Sequence, residues 1–241
     1  MAEKRAFGFA AVPPKRHEQG VAGVFADAAP HYDLCNDVLS GGLHRLWKRF
    51  FVAHARPRPD EHWLDLACGS GDVAALLRRR GCEVTAADAS EPMLALARAR
   101  FASDPGVAYA RCRAEDLPFA AGAFDGAACA FGLRNFTDPP AAVAELARVL
   151  RPGAPLLILE FSQPWPWLRP AHRRYLLEGL PSIGAALADD EASYRYLGES
   201  ILAHPPAEEV AAWLREAGLA EVSWLKLAGG IVAVHRGWKL G

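Results

Sequence analysis

Residues 62–71 read His62-Trp63-Leu64-Asp65-Leu66-Ala67-Cys68-Gly69-Ser70-Gly71, and the next apolar run, Val84-Thr85-Ala86-Ala87, ends on Asp88. A short buried strand, a Gly-x-Gly turn and a helix opening directly after it make a cradle for a nucleotide-like cofactor. Backbone approaches a ligand closely only where side chains are absent, and the first N–H groups of the helix stay free. Asp88, closing the second strand, is placed to accept hydrogen bonds from a ribose diol.

Working outward, strand-like runs at 62–67, 83–87, 107–112, 124–130 and 154–160 alternate with helical patterns near 71–80, 91–101 and 140–150. This alternation predicts a doubly wound, mostly parallel α/β sheet. Arg151-Pro152-Gly153 stops a helix ahead of the apolar strand Leu156-Leu157-Ile158-Leu159-Glu160. Beyond it, 164–200 reads as a helical insertion and 206–217 as a helix. The segments 221–227 and 230–236 read as two strands joined at Gly229-Gly230, so a seven-stranded sheet closes on a C-terminal antiparallel hairpin. Residues 1–16 read as a disordered arm and 17–241 as one domain, with 17–55 forming a helical lid. Ligands of such sheets lie beyond the carboxyl ends of the strands, where Gly69, Asp88, Glu115 and the 131–135 segment fall.

The chain has 241 residues, 51% of them apolar, and a formal net charge of −1, so it lacks the basic excess of a nucleic-acid-binding protein. Its five cysteines are odd in number, scattered and never spaced Cys-x-x-Cys. That pattern gives neither a disulfide framework nor a zinc site, and it predicts reduced cytoplasmic thiols. The start mimics a signal peptide, but its apolar stretch is short and Pro13-Pro14-Lys15-Arg16 ends it. No apolar run reaches the ~18 residues that span a bilayer.

Two cofactors suit the glycine turn. Gly69-Ser70-Gly71-Asp72-Val73-Ala74 fits the dinucleotide pattern of a nicotinamide oxidoreductase. Asp65 argues against it: a carboxylate there repels a pyrophosphate but suits the ammonium of an amino-acid moiety. No tyrosine is followed four residues later by lysine, so one common hydride-transfer arrangement is missing. Charge therefore favours S-adenosylmethionine.

Four further segments carry a resemblance. Val24-Phe25, Tyr32-Asp33-Leu34-Cys35-Asn36-Asp37-Val38-Leu39-Ser40 and Gly42-Leu43-His44-Arg45-Leu46-Trp47-Lys48 stand near the start, and Phe131-Gly132-Leu133-Arg134-Asn135-Phe136-Thr137-Asp138 in the middle. Leu159-Glu160-Phe161-Ser162 follows a strand. Tyr194-Arg195-Tyr196-Leu197, Glu199-Ser200-Ile201 and His204-Pro205 precede the ending Ala233-Val234-His235-Arg236-Gly237-Trp238-Lys239. Over nearly its whole length the chain resembles the C-methyltransferases of ubiquinone and menaquinone biosynthesis, within the class I S-adenosylmethionine-dependent methyltransferases. It departs from the family at Cys35 (usually Met), Cys68 (Gly), Ser70 (Thr) and Ala154 (Gly). Arg113-Ala114 stands where Asp or Asn followed by Ala commonly reads the adenine, and Glu115 or Asp116 could substitute. The resemblance implies that Asp65, Gly69, Ser70, Gly71, Asp88, Arg113, Ala114 and Ala130 hold S-adenosylmethionine.

It also implies a prenylated quinol as substrate and a C-methylation, demethylmenaquinol to menaquinol or the equivalent ubiquinone step. A sulfonium methyl is already an activated electrophile, so the protein must align it with a ring carbon, exclude water and raise that carbon's electron density. Arg134 and Asn135 are the candidates for holding a developing phenolate. The base comes from His204, Tyr194, His44 or Tyr196, or from a water polarised by Asp or Arg. Each has a plainer reading: Arg134 braces its loop through Asp138 or Glu160, His204 shapes the turn before Pro205, and Tyr32, Asn36, Tyr194 and Tyr196 pack within the lid.

A prenyl tail implies contact with a membrane surface at the cytoplasmic face. Pro164-Trp165-Pro166-Trp167-Leu168-Arg169-Pro170 with His172-Arg173-Arg174-Tyr175 has the aromatic and basic mix of a headgroup interface, or else packs its tryptophans inward. Two other functions fit the same motifs: methylation of a soluble aromatic secondary metabolite, and a non-catalytic cofactor-binding assembly subunit. A homodimer is compatible with all three.

Overall fold

The computed structural model describes residues 5–28, 32–188 and 190–241, with backbone only for Ala6 and for 25–28, 32–35 and 187–188. The side chains of Phe25, Tyr32 and Cys35 therefore lie outside the described residues, as do residues 1–4.

The elements run β1 (Arg5–Phe7), β2 (Ala10–Val12), α1 (Pro14–Ala28), α2 (Tyr32–Ser40), α3 (Leu43–Ala55), β3 (His62–Leu66), α4 (Asp72–Arg78), β4 (Glu83–Asp88) and α5 (Glu91–Arg100). Then come β5 (Val107–Arg111), β6 (Gly126–Ala130), α6 (Pro139–Val149), β7 (Pro155–Phe161), α7 (Arg169–Arg174), α8 (Leu180–Ala188), α9 (Glu191–Ala203), α10 (Ala207–Glu216), β8 (Leu219–Leu227) and β9 (Val232–Lys239). One π-helical turn, Tyr175–Gly179, links α7 to α8.

Seven strands form one sheet in the order β5-β4-β3-β6-β7-β9-β8. β3 through β7 pair parallel, while β9 lies antiparallel to both β7 and β8. The doubly wound sheet and its C-terminal hairpin are thus as the sequence predicts.

Strand alternation decides which side each residue serves, because successive side chains point to opposite faces. Leu64, Leu66, Leu156 and Ile158 join Val143 and Leu146 of α6 and Val210 and Leu214 of α10 in one core. Trp63, Leu157 and Leu159 join Phe51 and Val52 of α3 and Val73 and Leu77 of α4 in the other. Each such leucine contributes about 1.5–3 kcal/mol by leaving water. Asp65 has the parity of Trp63, so it points to the α4 side of the sheet. α6 opens where Asp138 accepts a hydrogen bond from Ala141 N and Pro139 occupies the first turn, a proline-tolerant position.

The arm is one correction. Within the stretch read as a disordered arm, the described residues form β1 and β2, paired as an antiparallel hairpin that side chains tie to the body, and the first turn of α1. Arg5 bonds Asp138 at 3.0 Å, Phe7 stacks on Tyr196 at 4.4 Å between centroids, and Phe9 N donates to Glu199 Oε2. These partners are far away in sequence, so local composition carries no trace of them.

Candidate functional site

At the carboxyl ends of β3 and β6 the backbone takes left-handed conformations at two non-glycine residues, Ala67 (φ 56°) and Phe131 (φ 60°). Such strain persists only where surroundings over-determine it, and it gathers at ligand sites. A Cβ on Gly132 would lie 2.5 Å from Ala67 Cβ, so the two loops approach as closely as they do because residue 132 is glycine.

Two cavities meet at these loops, sharing Ala130 and Phe131. The first, of about 280 Å³, lies over the strand ends, lined by Ala67, Gly69, Asp88, Met93, Arg113, Ala114, Glu115 and Asn135. Helix α1 supplies Glu18, Val21 and Ala22 to its wall, and Glu18 pairs with Arg113. The second, of about 220 Å³, is apolar. Leu39, Leu43 and Trp47 of α2 and α3 face Phe161, Leu176, Leu180, Leu197 and Ile201 across it, and His44, Lys48 and Arg134 are its charge-bearing members together with His172.

Asp88 Oδ2 accepts from Gly69 N at 3.0 Å and Oδ1 from Ser90 N at 2.9 Å. A carboxylate has about four acceptor sites, so acceptor capacity remains for a diol. Burial raises the Asp88 pKa, and the amides of Ser90, Gly69 and Ala89 oppose that shift. Asn135 Oδ1 accepts from Tyr196 Oη at 3.1 Å, whereas its buried Nδ2 has no partner among the described residues, a donor left for a ligand in the first cavity. Burial pushes the Tyr196 hydroxyl up to about 12 and the Cys112 thiol up to about 11, so both remain protonated. An acceptor for a diol, an orphaned amide donor and an apolar slot beside Met93 and Ala114 fit S-adenosylmethionine.

Arg134 lies on the wall of the second cavity and is braced from behind. Its Nη1 donates to Phe131 O at 2.5 Å and to Glu160 Oε1 at 3.0 Å, its backbone N donates to Glu160 Oε2 at 3.2 Å, and its guanidinium stands 5.2 Å over the Phe161 ring. Nε is buried with no partner among the described residues. Asp138, the other acid within reach in sequence, pairs with Arg5 instead.

The structure therefore brings Gly69, Asp88, Arg113, Ala114, Ala130 and Asn135 to one cavity and Arg134 to the other. It does not bring Asp65. That carboxylate, 1% exposed, accepts from Ala74 N at 2.9 Å inside α4's first turn, with burial pushing it up to about 7. Strand parity turned it away from the ligand side. Ser70 is buried in the turn, and Gly71 packs under the Phe101 ring. His204 and Tyr194 line neither cavity: His204 is buried near Glu160 and Arg134, and Tyr194 packs against Gly184 where α8 meets α9. Glu115, considered for the adenine, directs Oε1 to the N–H groups of Thr137 and Asp138. Sequence reasoning missed Glu18 and Met93, which α1 and α5 carry in from outside the motifs, and did not single out Lys48, which closes the quoted 42–48 segment.

Comparison with known proteins agrees with this geometry. The model of the ubiE/COQ5 methyltransferase family matches residues 14–239. The chain is 47% identical over 240 residues to a ubiquinone/menaquinone biosynthesis C-methyltransferase of Bordetella parapertussis, covering 98% of this chain and 93% of that one. It is 43% identical to the protein of that description in Stenotrophomonas maltophilia, covering 97% and 95%. Among solved structures, an S-adenosylmethionine-dependent methyltransferase of Thermotoga maritima superposes with a TM-score of 0.64 at 18% identity, over 89% of this chain and 99% of that one. Phosphoethanolamine N-methyltransferase 2 of Haemonchus contortus, in complex with S-adenosylmethionine, gives 0.62 at 15% identity, over 81% and 52%. These likenesses show the class I methyltransferase fold.

Proposed function

The chain belongs to the ubiE/COQ5 methyltransferase family, and from that premise we propose that it transfers a methyl group from S-adenosylmethionine to a ring carbon of a prenylated quinol in ubiquinone/menaquinone biosynthesis. The observation that carries the reading is the junction at Ala130 and Phe131 of a cavity holding Asp88 and Asn135 with an apolar cavity holding Arg134. When bound, S-adenosylmethionine supplies a methyl group on a positively charged sulfur.

This chain's residues do the rest. Asp88 accepts from the ribose hydroxyls, Gly69 lets the backbone approach, and Asn135 Nδ2 donates into the cofactor cavity. The apolar wall around Leu176, Leu197 and Ile201 takes the ring and the first part of its tail and keeps water out, so electrostatic interactions inside are strong. Arg134 places a permanent positive charge beside the ring, where it favours phenolate character and so raises the electron density of the neighbouring carbon.

Contact with a lipid surface follows from the same reading. Trp165 and Trp167 are 50% and 72% exposed, the exposed Tyr175 lines the apolar cavity, and the exposed Arg169, Arg173 and Arg174 lie between them in sequence. Aromatic side chains with nearby cations suit the headgroup layer, from which a tail could enter the cavity directly. No helix among the described residues is long and apolar enough to cross a membrane.

Mass spectrometry of quinones from a strain lacking the gene tests the function. Accumulation of a quinone short of one ring methyl group, reversed by the restored gene, supports it; an unchanged quinone profile refutes it.

A further inference from the structure

His44 sits in the first turn of α3 on the wall of the apolar cavity, 6% exposed. Its Nε2 lies 2.8 Å from Asp37 Oδ1, and Asp37 is in turn clamped by Arg45, whose Nε and Nη2 stand 2.6 and 2.7 Å from its two oxygens. Arg45 and His44 hold the Asp37 carboxyl well below the usual carboxylate range, so it is ionised and can only accept. The proton of a neutral His44 must then be on Nε2. Nδ1 keeps a bare lone pair, and that atom is buried with no partner among the described residues. A buried acceptor left unmatched next to a cavity is a place for a ligand's hydroxyl.

We propose that His44, oriented by Asp37, is the base that takes the hydroxyl proton of the quinol. This rests on the methyltransferase reading above and adds to it a residue that does what Arg134 cannot, since a guanidinium does not give up its proton at neutral pH. The O–H electron pair stays on the ring oxygen, the proton moves to Nδ1, and the imidazolium formed is stabilised by the Asp37 charge. The ring carbon then forms its bond to the methyl group while the pair of the broken sulfur–carbon bond stays on sulfur. The hydrogen of that ring carbon leaves to water as a proton, and the imidazolium returns its own proton to the ring oxygen. One proton is released per turnover and the base is restored. Asp37 acts through His44 and is a positioning residue.

The charges facing His44 are Asp37 on α2, Arg45 and Lys48 on α3, Asp72 on α4 and Arg134 across the cavity, with His172 as the other titratable group there. Burial is the largest influence and lowers the His44 pKa below its ordinary 6.5, while Asp37 raises it. The imidazole is thus neutral at pH 7, the form a base requires.

The test uses the full chain with His44→Gln and Asp37→Asn. Nitrogen NMR of the imidazole, without cofactor or substrate, should show His44 as the Nε2–H tautomer at pH 7, titrating below 6.5, and lower still in D37N. In assays on a prenylated demethylquinol, H44Q should lose about 10²–10⁴-fold in kcat at unchanged S-adenosylmethionine affinity by calorimetry. The acid limb of wild-type kcat/KM should match the NMR titration and move to lower pH in D37N. An Nδ1–H tautomer or an imidazolium at pH 7 overturns the proposal, as does wild-type turnover in a cofactor-binding H44Q. Should H44Q fail to bind cofactor, the D37N limb decides, and an unmoved limb overturns the proposal. A wild-type protein that methylates no quinol overturns the methyltransferase reading instead, whatever the tautomer.

Discussion

Nη1 of Arg134 lies 3.0 Å from Oε1 and 3.4 Å from Oε2 of Glu160, a carboxylate with no exposed surface at the end of β7. The pair ties the loop after β6, which separates the two cavities, to the neighbouring strand. Arg134 consequently has two jobs, bracing this loop and presenting charge to the apolar cavity, and a single substitution removes both.

Arg134→Ala strands a buried carboxylate, which costs about 3–5 kcal/mol when one partner of such a pair is removed. Adding Glu160→Gln removes that stranded charge. Urea unfolding should show R134A strongly destabilised and R134A/E160Q substantially recovered, while turnover stays low in both. Turnover that returns together with stability would leave Arg134 a bracing residue only.

Asp88→Ala removes the acceptor at the strand end and frees Gly69 N and Ser90 N. Hydrogen bonds to a charged group contribute about 1.5–3 kcal/mol each, so S-adenosylmethionine affinity should fall by at least tenfold in calorimetry. Unchanged affinity would refute the ribose assignment.

Asp65 gives a pH prediction. Burial raises its pKa from 3.8 to about 7. The folded protein therefore binds a proton that the unfolded chain has lost between these values, and the stability this proton gives is full below pH 4 and is lost as pH rises to 7. Asn at this position does not titrate. The stability of D65N relative to the natural protein should rise between pH 5 and pH 7.5 in denaturant unfolding; parallel curves would show that Asp65 keeps an ordinary pKa.

Trp165 and Trp167 should anchor the protein to lipid. Replacing both with serine should reduce flotation with anionic vesicles while leaving S-adenosylmethionine affinity intact. Equal flotation would remove this surface from the account.

The sheet was legible because its signals are local. Buried runs such as Leu156–Leu159, the glycine turn and Arg151-Pro152-Gly153 each set a strand, a loop or a helix end without help from distant residues. The cofactor cavity was legible at Gly69 and Asp88, which sit next to strand ends, whereas Asn135, read beside Arg134 as a holder of the phenolate, lines the cofactor cavity instead. Asp65 misled because its motif position points to the ligand while its parity with Trp63 points to α4, and only the second governs where a strand side chain goes. His204 and Tyr194 share motifs with the cavity residues Leu197 and Ile201, but Tyr194, on their face of α9, stands nearer the helix start against Gly184, and His204 follows the helix end. The hairpin at 5–12 depends on Asp138, Tyr196 and Glu199, all more than a hundred residues away, and no local pattern encodes such partners.

Transfer of a methyl group to a ring carbon of a prenylated quinol is tested by the fate of a labelled methyl group. Purified protein is incubated with methyl-deuterated S-adenosylmethionine and demethylmenaquinol in vesicles, and the product is examined by mass spectrometry and NMR. The expected product carries one deuterated methyl group on a ring carbon in place of hydrogen. A quinol recovered unlabelled, or labelled on oxygen, from a protein that binds the cofactor would contradict this transfer.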